Sequence, residues 1–259
     1  MPEPAQRSDR EFLPSANQAL ANLEQATGKP VLIQENQDLK VLATIHRAGA
    51  EESCHVLRIK GSSDHISDYL ITFECHMALR DGPEPRAVVR EKREARERVI
   101  SEVEKLHRQL PLAKARDLGK FLYNGLIVQL RSTGPGLVVD RWIREHCPDL
   151  LEAQARSIET QITENLGVLQ AGTSTNFPAR VYNASVAMNA AYAVFGGDLL
   201  GKPHLGVPYV SQGHGELARR LIATALGDGE TTPADRQIID AWAAELGISS
   251  WYDWIERTA

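Results

Sequence analysis

The β-rich runs of this chain are crowded into residues 30–60, and almost everything outside them follows helical spacing. Pro30–Gln34, Val41–His46 and His55–Lys60 are short, rich in β-branched or apolar residues, and bounded by turn formers. Three strands in one place, with helical spacing elsewhere, predict an α+β chain. The connections 35–38 and 48–52 are of hairpin length, which predicts an antiparallel three-stranded meander.

A helix is expected on each side of the meander. Ala16, Leu20 and Leu23 repeat at helical spacing, with Ser15 as the expected N-cap and Gly28 as the stop. After Gly61–Asp64, apolar residues Tyr69, Leu70, Phe73, Met77 and Leu79 predict a second helix beginning near Ser67 and ending at Asp81-Gly82-Pro83. Residues from 84 to about 110 predict a long, solvated helix. The rest predicts further helices: 112–131 and 137–147, separated by Ser132-Thr133-Gly134-Pro135-Gly136; 149–169; 178–195, ended by Gly196-Gly197; 215–226; 232–246; and a short last one over 250–255. The expected architecture is α+β: residues 1–82 form a front half with a small three-stranded antiparallel sheet and N-terminal helices. Residues 83–259 form a larger all-helical portion packed on it as one compact unit.

Composition narrows the function classes. The chain has 259 residues, and 29 basic against 34 acidic residues leave a net charge of −5. That balance argues against a chain built to coat nucleic acid or an anionic membrane. No apolar run is long enough to span a bilayer. The polar start, Met1-Pro2-Glu3-Pro4-Ala5-Gln6-Arg7, predicts no secretory leader. Three cysteines do not make a disulfide framework, which predicts a reducing, cytoplasmic setting. Phosphate-loop, dinucleotide and nucleophile-elbow motifs are absent. Three of the four tryptophans lie late in the chain, at 242, 251 and 254, and are expected to dock the C-terminus onto the body.

One stretch carries a motif-like pattern: Asp68-Tyr69-Leu70-Ile71-Thr72-Phe73-Glu74-Cys75-His76-Met77-Ala78-Leu79-Arg80. A helix, three strands and then this helix resemble the front half of zincin metallopeptidases, in particular gluzincins of the ImmA/IrrE type. The resemblance covers about residues 12–80. In that family the helix carries H-E-x-x-H, two zinc-binding histidines one turn apart and a glutamate that polarises the attacking water. Here Phe73 stands at the first histidine, Glu74 at the acid/base position and Met77 at the second histidine. Phenylalanine has no lone pair for a metal, and a thioether is a poor zinc ligand. The resemblance therefore implies a pseudoenzyme: a cytoplasmic, prokaryotic scaffold that recognises a protein partner as a regulatory, stress- or defence-associated component, without a cofactor.

Two other functions are open. Each cysteine neighbours a histidine (Cys54-His55, Cys75-His76 and His146-Cys147), so a shifted zinc site would draw on Cys75 or His76, His55 and a carboxylate such as Glu102 or Glu104, with Glu74 catalytic in a metallopeptidase. Alternatively Glu74 pairs with Arg58, Lys60 or Arg80 as a structural acid. The third class is nucleic-acid binding through the Arg86–Arg98 helix. Its six basic and three acidic residues favour a salt-bridged exposed helix instead. Asp140-Arg141-Trp142 reads as an acid–base pair with an aromatic lid, or as an ordinary cap.

Overall fold

The structure is a computed structural model that describes residues 11–39, 42–49, 51–60, 65–80, 87–227 and 232–256. The expected leaderless start, the breaks at 61–64 and 81–83, and Val41 and Arg86 lie outside these residues. The chain is α+β and forms two compact units. The first comprises residues 1–85 and 139–157, the second 86–138 and 158–259. Segment 139–157, which the sequence groups with the helical portion, therefore belongs with the front unit. Long-range polar contacts hold it there: Ser15 Oγ donates to Asp149 at 2.5 Å, and Tyr69 donates to Asp140 at 2.8 Å.

In the first unit α1 (Pro14–Thr27) is followed by β1 (Val31–Glu35), β2 (Ala43–His46), β3 (His55–Ile59) and α2 (Ile66–Arg80). The start of α1 differs from expectation: Leu13 is the N-cap, Pro14 opens the helix, and Ser15 spends its hydroxyl on Asp149. Gly28 ends the helix as expected, in the left-handed conformation at φ 68°. The sheet is mixed, not an antiparallel meander. Its order is β1-β3-β2, with β1 parallel and β2 antiparallel to β3. Burial decides the order: β3 hides His55, Leu57 and Ile59 and takes the centre, whereas β2 has no fully buried residue and takes an edge.

The second unit departs more from expectation. Residues 87–91 are a strand, β4 (Ala87–Glu91), and the helix α3 begins only at Arg93 and runs to Leu106. The partner of β4 is β5 (Tyr252–Glu256), antiparallel to it, where a final helix was expected. A single helix, α4 (Leu112–His146), which belongs to this unit as far as Val138, runs through Pro135. Packing overrides the local break: a Cβ at Gly134 would stand 2.6 Å from Ile238 and 3.2 Å from Trp242. The remaining helices are α5 (Leu151–Asn165), α6 (Ala179–Leu199), α7 (Val207–Val210), α8 (Gly215–Leu226) and α9 (Asp235–Glu245). Gly196 and Gly197 lie inside α6, where Gly196 lets the helix approach Ile158 and Ile162. The second core gathers Tyr123, Leu130 and Leu137 of α4, the alanines of α6, and Trp242. The expected docking of the C-terminus holds: Trp242 and Trp251 are buried, and Trp251 stacks on Tyr123 at 5.6 Å.

Candidate functional site

The helix that carries the motif-like pattern, α2, is apolar on two sides. Ile71, Cys75 and Ala78 enter one cluster with Leu20 and Leu23 of α1 and Leu57 and Ile59 of β3. Tyr69 and Leu70 enter another with Val139, Ile143, Cys147, Leu150 and Ala153, and Phe73 and Met77 pack against that cluster. The two positions that the resemblance assigns to metal ligands thus serve as apolar packing. The ring of Phe73 lies 6.1 Å from that of Tyr69. Neither side chain suits zinc.

Glu74 sits between these two sides. Its Oε2 accepts the Ile45 backbone N–H at 3.2 Å, from the edge strand β2. The expected pairing with Arg58, Lys60 or Arg80 is replaced by this backbone contact. Burial raises the carboxyl to about 7, and the Ile45 N–H only partly offsets that rise. Glu74 is therefore an acid poised to exchange a proton near neutral pH.

The shifted-ligand residues are dispersed among other roles. The Ala48 N–H donates to His55 Nδ1 at 2.9 Å, so the proton lies on Nε2, which donates to Thr27 Oγ1 at 2.8 Å. Thr27 in turn donates to the Leu23 carbonyl at 2.7 Å. Both ring nitrogens of His55 are thereby engaged, and burial lowers its affinity for a second proton. Burial drives the Cys75 thiol far up, away from the thiolate that zinc needs. His76 lies against Trp142 with ring centres 3.8 Å apart, and Trp142 stacks on His146 at 4.7 Å. Burial, then the charge of His146, pushes His76 down to about 4. Glu102 and Glu104 lie on α3 in the second unit, where Glu104 bonds Arg116 at 3.0 Å. Among the described residues no group of three or more His, Cys, Asp or Glu side chains is arranged to hold a metal ion.

A buried polar centre escapes sequence reasoning. Asp140 is fully withdrawn from water; Tyr69 donates to its Oδ1 at 2.8 Å, and Gln154 Nε2 donates to the same oxygen at 3.1 Å and to the Asp140 carbonyl at 2.7 Å. Burial raises this carboxyl to about 6, against the pull of both donors. Asp140 Oδ2 and Gln154 Oε1 have no hydrogen-bond partner among the described residues. The expected reading of 140–142 as an acid–base pair under an aromatic lid is replaced by two separate roles. Asp140 turns inward to Tyr69 and Gln154, and Trp142 covers His76. Only the arrival of Tyr69 from α2 gives the site away, and no local pattern encodes that meeting.

The basic segment is not one helix. Arg90 sits in β4 and lies 3.8 Å from Asp253, Lys92 lies 2.8 Å from the same carboxylate, and Arg96 faces Glu91. These cations are shared with acids within the second unit. Among the described residues no helix is long and apolar enough to cross a membrane.

Comparison with protein-family models, with curated proteins and with solved structures finds no match.

Proposed function

We propose that this chain is a zincin-like scaffold without zinc chemistry, which works as a protein-interaction or regulatory component. The observation that carries this reading is the packing of Phe73 and Met77 against the Val139–Ile143–Leu150 cluster. A peptidase helix exposes its two ligand positions to a water-filled cleft, whereas here both are committed to apolar contacts. Glu74 retains the position of the water-activating acid, but no group of His, Cys, Asp or Glu among the described residues is arranged to hold a metal-bound water beside it.

Zinc titration of the Phe73→His/Met77→His variant tests the scaffold. One equivalent bound by the variant, against none by the wild type, supports it. Failure of the variant to bind while it keeps its fold, or stoichiometric zinc retained by wild-type protein prepared without chelator, overturns it. The shifted-ligand peptidase has weaker support, because His55 spends both ring nitrogens inside the first unit. Nucleic-acid binding has weaker support still, because Arg90, Lys92 and Arg96 face Asp253 and Glu91.

A further inference from the structure

Helix α4 carries three glycines ahead of its proline, and they are not alike. A Cβ at Gly119 would stand 2.7 Å from the Ile100 backbone, and one at Gly134 would meet Ile238 and Trp242. Both positions have an intramolecular reason to be glycine. A Cβ at Gly125 would meet nothing within 4 Å. A glycine in mid-helix facing open space destabilises the helix with no return from the chain's own packing.

The neighbours of Gly125 on that face are unusual as well. Phe121 is 64% exposed and Val128 58% exposed. At 100° per residue, Asp117, Phe121, Gly125, Val128 and Ser132 fall within a narrow stripe along the helix, with Arg131 on the edge that Asp117 also occupies. Large apolar side chains thus flank an empty notch, with an acid at one end of the stripe and a base at the other.

That charge order selects the occupant. We infer that the Asp117–Ser132 face of α4 docks onto the same face of a second copy of this chain, antiparallel, about a two-fold axis passing between Asn124 and Gly125. In this arrangement Phe121 lies opposite Val128 of the second copy, and the two Gly125 notches let the helices approach. Asp117 comes beside Arg131 of the second copy, twice by symmetry, because a two-fold axis keeps each edge facing the like edge. A parallel pairing would instead bring acid to acid and base to base. Among the described residues Asp117 has an exposed contact with Lys120 at 3.1 Å, which is readily exchanged. The contact is isologous and closed, and a single helix pair makes it a weak one. It lies wholly in the second unit and does not rest on the function proposed above.

Sedimentation equilibrium on the full chain, from ~1 to ~100 µM, tests it. The wild type should show a reversible monomer–dimer equilibrium. Phe121→Glu/Val128→Glu and, separately, Gly125→Leu should leave monomer. Leucine favours helix over glycine, so the second variant keeps the fold, as circular dichroism will show. Asp117→Arg and Arg131→Asp should each weaken the dimer by roughly tenfold, and the two together should restore it. A monomeric wild type at the highest concentration overturns the inference. So does a dimer that survives Phe121→Glu/Val128→Glu, or a double reversal that does not recover.

Discussion

The two units bury different chemistry. Among the described residues, the buried polar or charged ones, His55, Ser67, Asp68, Thr72, Asp140, Gln154 and Ser157, all belong to the first unit. The larger core of the second unit is built from Trp242, Tyr123, Tyr209, Leu130, Leu137 and the alanines of α6. Backbone carbonyls take three of its polar tips: Trp242 Nε1 donates to Leu221, Tyr209 to Asn165, and Tyr123 to Trp251, whereas Tyr252 donates to the Asp240 carboxylate at the margin of the core. Apolar burial does not titrate, whereas buried acids and histidines do. Stability of the second unit therefore answers mainly to packing volume, with the partly buried His214 as its titrating imidazole, and that of the first answers more to pH through Glu74, His76 and Asp140.

The largest effect is expected in the second core. Trp242 is fully buried and lies against Gly134 of α4, so its removal leaves a cavity under a helix that has no Cβ there to fill it. Trp242→Ala should cost about 3–5 kcal/mol, read by urea denaturation. That cost should be the same at pH 5 and pH 8. A loss below about 1 kcal/mol, or one that varies strongly with pH, would break the contrast between the units.

Glu74 should show the opposite behaviour. Its carboxyl sits near 7 when folded against 4.5 when free. Between those values the folded chain holds a proton that the unfolded chain has released, so ionisation favours unfolding and stability falls as pH rises. His76, near 4 when folded, acts in the reverse sense below its ordinary 6.5, and Asp140, near 6, acts in the same sense as Glu74. The net curve therefore mixes opposing slopes, and the informative quantity is the difference between variant and wild type. Glu74→Gln keeps an oxygen for the Ile45 N–H and carries no charge. Its stability relative to wild type should improve by up to ~3 kcal/mol between pH 4.5 and pH 8. A difference that stays constant across that range would show that Glu74 remains ionised in the folded chain.

How much of this was legible in the sequence depends on the range of the interactions. The three front strands, α2 and α8 could be read because alternation, helical spacing and nearby turn formers act within a few residues. The left-handed Gly28 was legible for the same reason. The sheet order was not, because connection lengths permit β2 to take either edge, and burial of β3 decides. Strand β5 was missed because its pairing partner, β4, lies far away in the chain, and Trp251-Tyr252-Asp253-Trp254 does not alternate cleanly. Pro135 and the Gly196-Gly197 pair looked like helix ends, yet packing against Trp242 and Ile158 carries the helices through. At the candidate site the sequence located Phe73, Glu74 and Met77 on a helix. It gave no sign that Asp140 would reach Tyr69, because that contact exists only after segment 139–157 joins the first unit.

That contact supplies the smallest and most discriminating of these tests. Tyr69 donates to Asp140 Oδ1 and so favours the ionised carboxyl, against the burial that opposes it. Tyr69→Phe keeps the ring in the cluster beside Phe73 and removes only the hydroxyl. Asp140 then depends on Gln154, and its affinity for a proton rises further. Above pH 6 the variant must bury a less satisfied carboxylate or take up a proton; below that, the carboxyl is already neutral in both proteins. The expected loss is therefore about 1–2 kcal/mol at pH 8 and distinctly smaller at pH 5, by urea denaturation at the two values. An equal loss at both would mean that the hydroxyl works by filling space. The pH dependence of the first unit would then rest on Glu74 and His76 without Asp140.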